Sequence, residues 1–129
     1  MATGFPSVTG DVVTSNMWNG LVTFTANTQT GTTYTAVLTD SYQVLVTMNN
    51  ASANAFKIPT NATVAIPTGS VITVLNLGAG TTTISAVTSG TTTVVSAGVV
   101  PASPTLAQYK SAACIKTGTD TWVICGAIA

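Results

Sequence analysis

The chain has 129 residues, of which only six carry a formal charge: Asp11, Asp40, Asp120, Lys57, Lys110 and Lys116, summing to zero, with no Glu, Arg or His. That inventory argues against enzymatic chemistry, because acid–base and nucleophilic catalysis draw on His, carboxylates and lysines tuned by ionisable neighbours. It also argues against DNA, RNA and anionic membranes as partners, since these need clustered Lys and Arg.

One domain with one modest core fits the length. Hydrophobic residues make up 46% of the chain and mean hydropathy is +0.51, apolar for a lone domain whose surface is normally about a quarter to a third charged. Either hydroxyls and amides solvate the surface, or partners cover much of it. Roughly a fifth of the residues are Thr, which favours strands and gives an outward face polarity without charge.

Residues 1–20 read as an N-terminal arm with one short helix, and residues 21–129 as a β domain. The arm, 1–13, mixes Gly, Pro, Ser and Thr without periodicity. Over residues 11–21, Thr14 or Ser15 offers a cap, Met17, Trp18 and Leu21 share a face, and Gly20 stops the helix. The segment Met1 to Pro6 lacks the basic and apolar regions of a secretory signal. No apolar run approaches the ~18 residues of a membrane-spanning helix, and 6% aromatic residues is thin for the girdles of an outer-membrane barrel.

From Leu21 the pattern is strand after strand: 21–25, 32–38, 43–48, 55–58, 62–66, 70–77, 81–86, 91–96, 109–116 and 121–127. Gln29-Thr30-Gly31, Asp40-Ser41, Asn49 to Ser52, Pro59, Pro67-Thr68-Gly69, Gly78-Ala79-Gly80 and Ser89-Gly90 separate them. Turn signals every ~8 to 12 residues point to an all-β fold, a small antiparallel β-sandwich or barrel. Within 70–77, Ile72, Val74 and Asn76 alternate with Val71, Thr73, Leu75 and Leu77, both faces being partly apolar. Such a strand lies between layers or between subunits. Gly-Thr-Thr-Thr-Ile-Ser-Ala from Gly80 and Gly-Thr-Thr-Thr-Val-Val-Ser-Ala from Gly90 repeat locally, which predicts a hairpin rather than a solenoid.

No catalytic, cofactor-binding or metal-ligating residue emerges. Two Cys and three scattered Asp have no zinc spacing, and Gly78-Ala79-Gly80 opens no helix as a phosphate cradle would. Cys114 and Cys125 flank the turn Thr117-Gly118-Thr119-Asp120 and are expected to share a face. If Lys116 pairs with Thr121, Cys114 faces Val123 and is only diagonal to Cys125, so two buried free thiols are favoured over a disulfide. The sequons at Asn50 and Asn61 are read as accidental in so Ser- and Thr-rich a chain. Trp18 and Trp122 are read as core or interface anchors rather than sugar-stacking platforms. Long, charge-poor strand edges need covering, and a closed oligomer such as a cyclic trimer would cover an edge and an apolar face of each chain.

The run Gln29 to Asp40, then Val46-Thr47-Met48-Asn49-Asn50-Ala51-Ser52-Ala53, Ile58-Pro59, Val64 to Ser70, Leu77 to Ile84 and Ile115 to Trp122, resembles a small β domain of tailed-bacteriophage virion proteins. The likeness covers about residues 29–127, and Gly10 to Asn19 is similar to the helical leader of such proteins. One departure follows Asp40, where Ser41-Tyr42-Gln43 replaces a Gly or Asn followed by Lys. The resemblance implies a structural module and supplies no site residues. Such modules occur in tail fibres and in capsid-associated proteins; a whole chain of one small module favours a capsid decoration, or cement, protein on the virion exterior, made in the host cytoplasm and docking as a homotrimer on the major capsid protein. The alternative is a tail-fibre component whose loops 49–54 or 78–82 touch a host glycan among other tail proteins. A bacterial cell-surface module is the third reading.

Overall fold

A computed structural model describes residues 24–129 and, ahead of them, Ser15. The arm and the helix expected over residues 11–21 lie, apart from Ser15, outside the described residues.

The first six strands alternate between two sheets. They are β1 (Thr25–Gln29), β2 (Thr33–Thr35), β3 (Val44–Met48), β4 (Asn54–Ile58), β5 (Val71–Asn76) and β6 (Thr82–Ala86), with a 3-10 turn at Leu38–Ser41. The odd strands pair in parallel as β1-β3-β5, and the even strands as β2-β4-β6. The chain thus makes three passes, leaving one strand in each sheet per pass. β7 (Thr93–Val95), β9 (Ser111–Gly118) and β10 (Thr121–Gly126) complete a six-stranded sheet ordered β1-β3-β5-β9-β10-β7; β8 (Thr105–Leu106) completes a four-stranded sheet ordered β2-β4-β6-β8.

The chain is mostly β, as its composition indicates, but the expected antiparallel pairing is corrected. Both sheets are mixed, with five parallel pairings against three antiparallel. Turn signals mark where a chain bends, and a short bend serves equally to fold a strand back beside its predecessor or to carry it into the facing layer. The hairpin expected over 80–97 is corrected for the same reason: β6 and β7 lie in different sheets. The strand expected over 62–66 is a loop, because Thr63 and Val64 both donate their N–H to Thr60 O and close a turn between Pro59 and Pro67. The closing hairpin is present, with β9 antiparallel to β10.

The crossings between sheets stack at one end of the molecule. Asn49 N donates to Gln29 O, Leu77 N and Gly78 N both donate to Met48 O, and Gly80 N donates to Asn50 O. Gly78 and Gly80 permit the close approach, since a Cβ on Gly78 would lie 2.2 Å from Asn50 O and one on Gly80 2.0 Å from Ser52 O.

The inward faces of both sheets form one hydrophobic cluster, including Val46, Met48, Ile72, Val74, Cys114, Trp122 and Ile124 from the larger sheet and Phe56, Ile58, Ile84 and Leu106 from the smaller. Burying a side chain of this size contributes about 1.5–3 kcal/mol. Asn76, fully buried, ties the layers together: its Nδ2 donates to Gly80 O at 2.8 Å and Leu106 O at 2.9 Å, while its Oδ1 accepts from Gly78 N at 3.0 Å.

Because only backbone atoms stand where the added methyl would go, Gly80→Ala is expected to lose roughly 3 kcal/mol or more in urea unfolding. Gly31→Ala, whose Cβ would meet nothing nearer than Thr33 O at 3.9 Å, is expected to stay within about 0.5 kcal/mol of wild type.

Candidate interaction surface

Of the five charged side chains among the described residues, Lys116 on β9 and Asp40 in the 3-10 turn are buried, and Asp120 is half-buried. β9 buries Ala112, Cys114 and Lys116 on its inward side. Lys116, 2% exposed, donates from Nζ to Asn61 Oδ1 at 2.7 Å and Ile66 O at 2.5 Å, with Nζ 6.0 Å from the Trp122 ring centroid. Asp120 accepts from Asn61 N at 2.8 Å and from Thr92 Oγ1 at 3.2 Å, so Asn61 bridges cation and anion. Asp40, 1% exposed, accepts from Tyr34 Oη at 2.7 Å, Asn27 Nδ2 at 2.9 Å and Val37 N at 3.0 Å. Burial, reinforced by the hydrogen bond to the Asp40 carboxylate, pushes the Tyr34 phenol up to about 12. Lys57 donates to Ser85 Oγ at 2.8 Å on the outside of β4, and Lys110 is exposed.

Among the described residues, no group of three His, Cys, Asp or Glu is placed to hold a metal ion. No helix among them is long and apolar enough to cross a membrane.

The cysteines do not share a face, which corrects the expected geometry. A register shift between Thr121 and Trp122 sets Trp122 opposite Lys116, Ile124 opposite Cys114, and Cys125 opposite Ala113. Cys114 therefore points into the core and Cys125 outward; both thiols are free, the first buried and the second exposed. Burial pushes the Cys114 thiol up. Trp122 is a core residue at 1% exposure, and Trp18 lies outside the described residues. Both sequon side chains bond internally, Asn50 Nδ2 to Thr30 O and Asn61 Oδ1 to Lys116.

What remains outside is two sheet faces of different chemistry. Outward on the four-stranded sheet stand Thr33, Thr35, Ala55, Lys57, Thr83, Ser85 and Thr105, a face of hydroxyls with one cation. Outward on the six-stranded sheet, in matching register, stand Leu45, Val71, Leu75, Ile115, Val123 and Val95, with Thr and Ala between them and Cys125 near one end. Among the described residues, no charged side chain belongs to that face. Sequence reasoning recognised the two-sided apolar character only for β5; the pairing register is what gathers five strands of it into one surface.

The stacked crossings form a third feature. Loops 49–53 and 77–81 touch through backbone, and loop 107–110 joins them through Tyr109 N to Asn76 O at 2.7 Å and Gln108 Nε2 to Leu77 O at 3.2 Å. Tyr109 sits there 73% exposed with φ of 64°. Near the other edge, a cavity of about 280 Å³ bounded by Ser96, Val99, Ala102, Pro104 and Ile128 carries no ionisable side chain.

No protein-family model, no curated protein and no solved structure matches this chain.

Two outcomes follow from the internal charges. The raised Tyr34 pKa means that the unfolded chain loses this proton first, near pH 10. Stability from Tyr34 is therefore complete below pH 10 and lost as pH rises toward 12. Urea midpoints should fall across that window, and Tyr34→Phe should reduce the slope. Lys116→Met keeps the stem but strands Asn61 Oδ1 and Ile66 O, and is expected to lose roughly 2–3 kcal/mol. Lys57→Met, on the outer hydroxyl face, should stay within about 0.5 kcal/mol in the same assay.

Proposed function

We propose that this chain is an adhesive structural protein of a bacteriophage virion, a capsid decoration protein that docks as an oligomer on the major capsid protein. We read its two sheets as the layers of a sandwich. The observation that carries the reading is the disposal of polar chemistry: the buried ionisable groups hold the fold, and the larger sheet presents an apolar, uncharged face. Such a surface has little to offer a reacting substrate and much to offer a flat protein partner. The likeness of residues 29–127 to phage virion domains supplies the biological setting.

The mechanism is burial. Apolar surface covered across capsomer boundaries contributes ~25 cal/mol per Å², and a ligand that binds the assembled shell alone stabilises it by mass action. No proton transfer or bond cleavage is involved.

A tail-fibre role is the second reading, favoured by Tyr109, a nearly free aromatic ring beside the stacked loops 49–53 and 77–81. Aromatic faces of this kind stack on apolar sugar surfaces.

The deciding experiment adds purified protein to expanded capsids of the carrying phage that lack it. Saturable, stoichiometric binding with density on the capsid lattice in electron microscopy, and a higher temperature of DNA release, is the expected result. Absence of binding, together with adsorption to host cells that the free protein competes away, would replace this reading with the tail-fibre one.

A further inference from the structure

Six strands at about 4.8 Å spacing and five residues at about 3.3 Å make the outer face of the larger sheet roughly 24 by 17 Å. Across it Leu45, Leu75, Ile115, Val123 and Val95 are half-buried within their own sheet, and Val71 is 47% exposed. The outer face of the four-stranded sheet has a different chemistry, Thr and Ser with one Ala and one Lys. The difference is not compositional drift, since both sheets come from the same Thr-rich chain and alternate strand by strand.

We infer that the outer face of the six-stranded sheet is a homotypic interface, packed in the assembled protein against the same face of a second copy. The inference rests on the assembly half of the proposed function and sharpens it: a same-face contact is two-fold and joins copies in pairs, so docking on a capsid falls to the remaining surface. The occupant follows from charge and from area. A partner with ions on its surface would have to strip their hydration against Leu45, Leu75 and Ile115, which offer no compensating group. The face itself has no ion to strip, and in a two-fold contact it meets no like charge. Two such faces bury roughly 800 Å² by projection, before side-chain relief is counted, beside the ~1,000 Å² that a specific interface needs. The area falls short of that figure, so a weak pair is expected, one that forms and dissociates with concentration.

Cys125 is a native reporter of this face. It projects beside Ala113 on the outer side, whereas Cys114 is sealed in the core. Sedimentation of the full chain from about 1 to 200 µM should show mass rising from monomer to oligomer. Over the same range the rate of Cys125 modification by a maleimide should fall about tenfold or more as the sites fill. Leu75→Lys combined with Ile115→Lys should hold the chain monomeric and Cys125 fast, with the far-ultraviolet spectrum unchanged. Thr83→Lys, on the other outer face, should leave association intact.

A monomer throughout, with a constant Cys125 rate, overturns the inference. So does an oligomer in which Cys125 stays fast, or one that persists in the folded double-lysine variant. Slow modification at every concentration, released by removing residues 1–21, would show that the chain covers the face with its own N-terminal segment and would overturn it too. Should the double-lysine variant not fold, the wild-type concentration series decides alone. These measurements use no capsid, so self-association without capsid binding would sink the decoration reading and leave this one standing.

Discussion

The stacking of short crossings over Gly78 and Gly80 is the constraint from which the rest of the structure follows. Because Gly80 N reaches Asn50 O and Gly78 N reaches Met48 O, each pass of chain sits directly on the one before it. The crossings carry successive strands into opposite sheets, and each strand then pairs in parallel with the one two places before it. Once that register is set, alternation dictates the remainder: Val46, Val74 and Ala112 share the interior, while Leu45, Thr73 and Ala113 share the outside. Fold and surface are fixed by the same few backbone contacts.

The antiparallel closing strands solve a second problem. A stack of parallel passes has an open end, and β9 covers it by pairing antiparallel with β5, as β8 does more briefly with β6. Lys116 then becomes intelligible. β9 carries its inward residues Ala112, Cys114 and Lys116 over the core, and the last reaches the rim where loop 59–67 folds over. There an ammonium is more useful than a methyl group, since Asn61 Oδ1 and Ile66 O need donors away from water. Through Asn61 it also joins the hairpin turn at Asp120 to that loop. Networks of this kind hold one register against its neighbours more than they add to net stability.

Much of this was legible locally and little of it globally. The strand content, the turn at Gly118 and the two-sided character of β5 could be read from β-branched runs, Gly positions and alternation. Parallel pairing could not, because it depends on which strand lies next across a layer, and spacing is silent on that. The cysteines show the cost of one residue. Counting from the turn puts Cys114 opposite Val123, but the bulge at Thr121 moves it opposite Ile124, and Cys125 changes sides. The burial of Asp40 and Lys116 was hidden for a related reason. A lone charge in a turn or a strand ordinarily marks the solvent side, and only the tertiary partners Tyr34 and Asn27 for Asp40, and Asn61 for Lys116, reverse that expectation.

The same economy bears on how such a chain avoids indiscriminate aggregation. Charged edges are the common defence of β proteins, yet here the edge strands β2, β7 and β8 carry no charge and are instead three, three and two residues long. Short edges offer little template for an incoming strand, and Ala129 further occupies β8 by exchanging hydrogen bonds with Thr105. Among the described residues β1, at five residues, is the longest edge strand, and its inward side chains Asn27 and Gln29 are amides bonded to each other. With edges kept short and no charged side chain among the described residues on the outer side of the larger sheet, the proposed attraction is concentrated on a face rather than a rim. A face must match its partner's relief over hundreds of square ångströms, whereas an edge needs only a strand. Selectivity in the proposed contact would therefore rest on shape, which the sheet register sets.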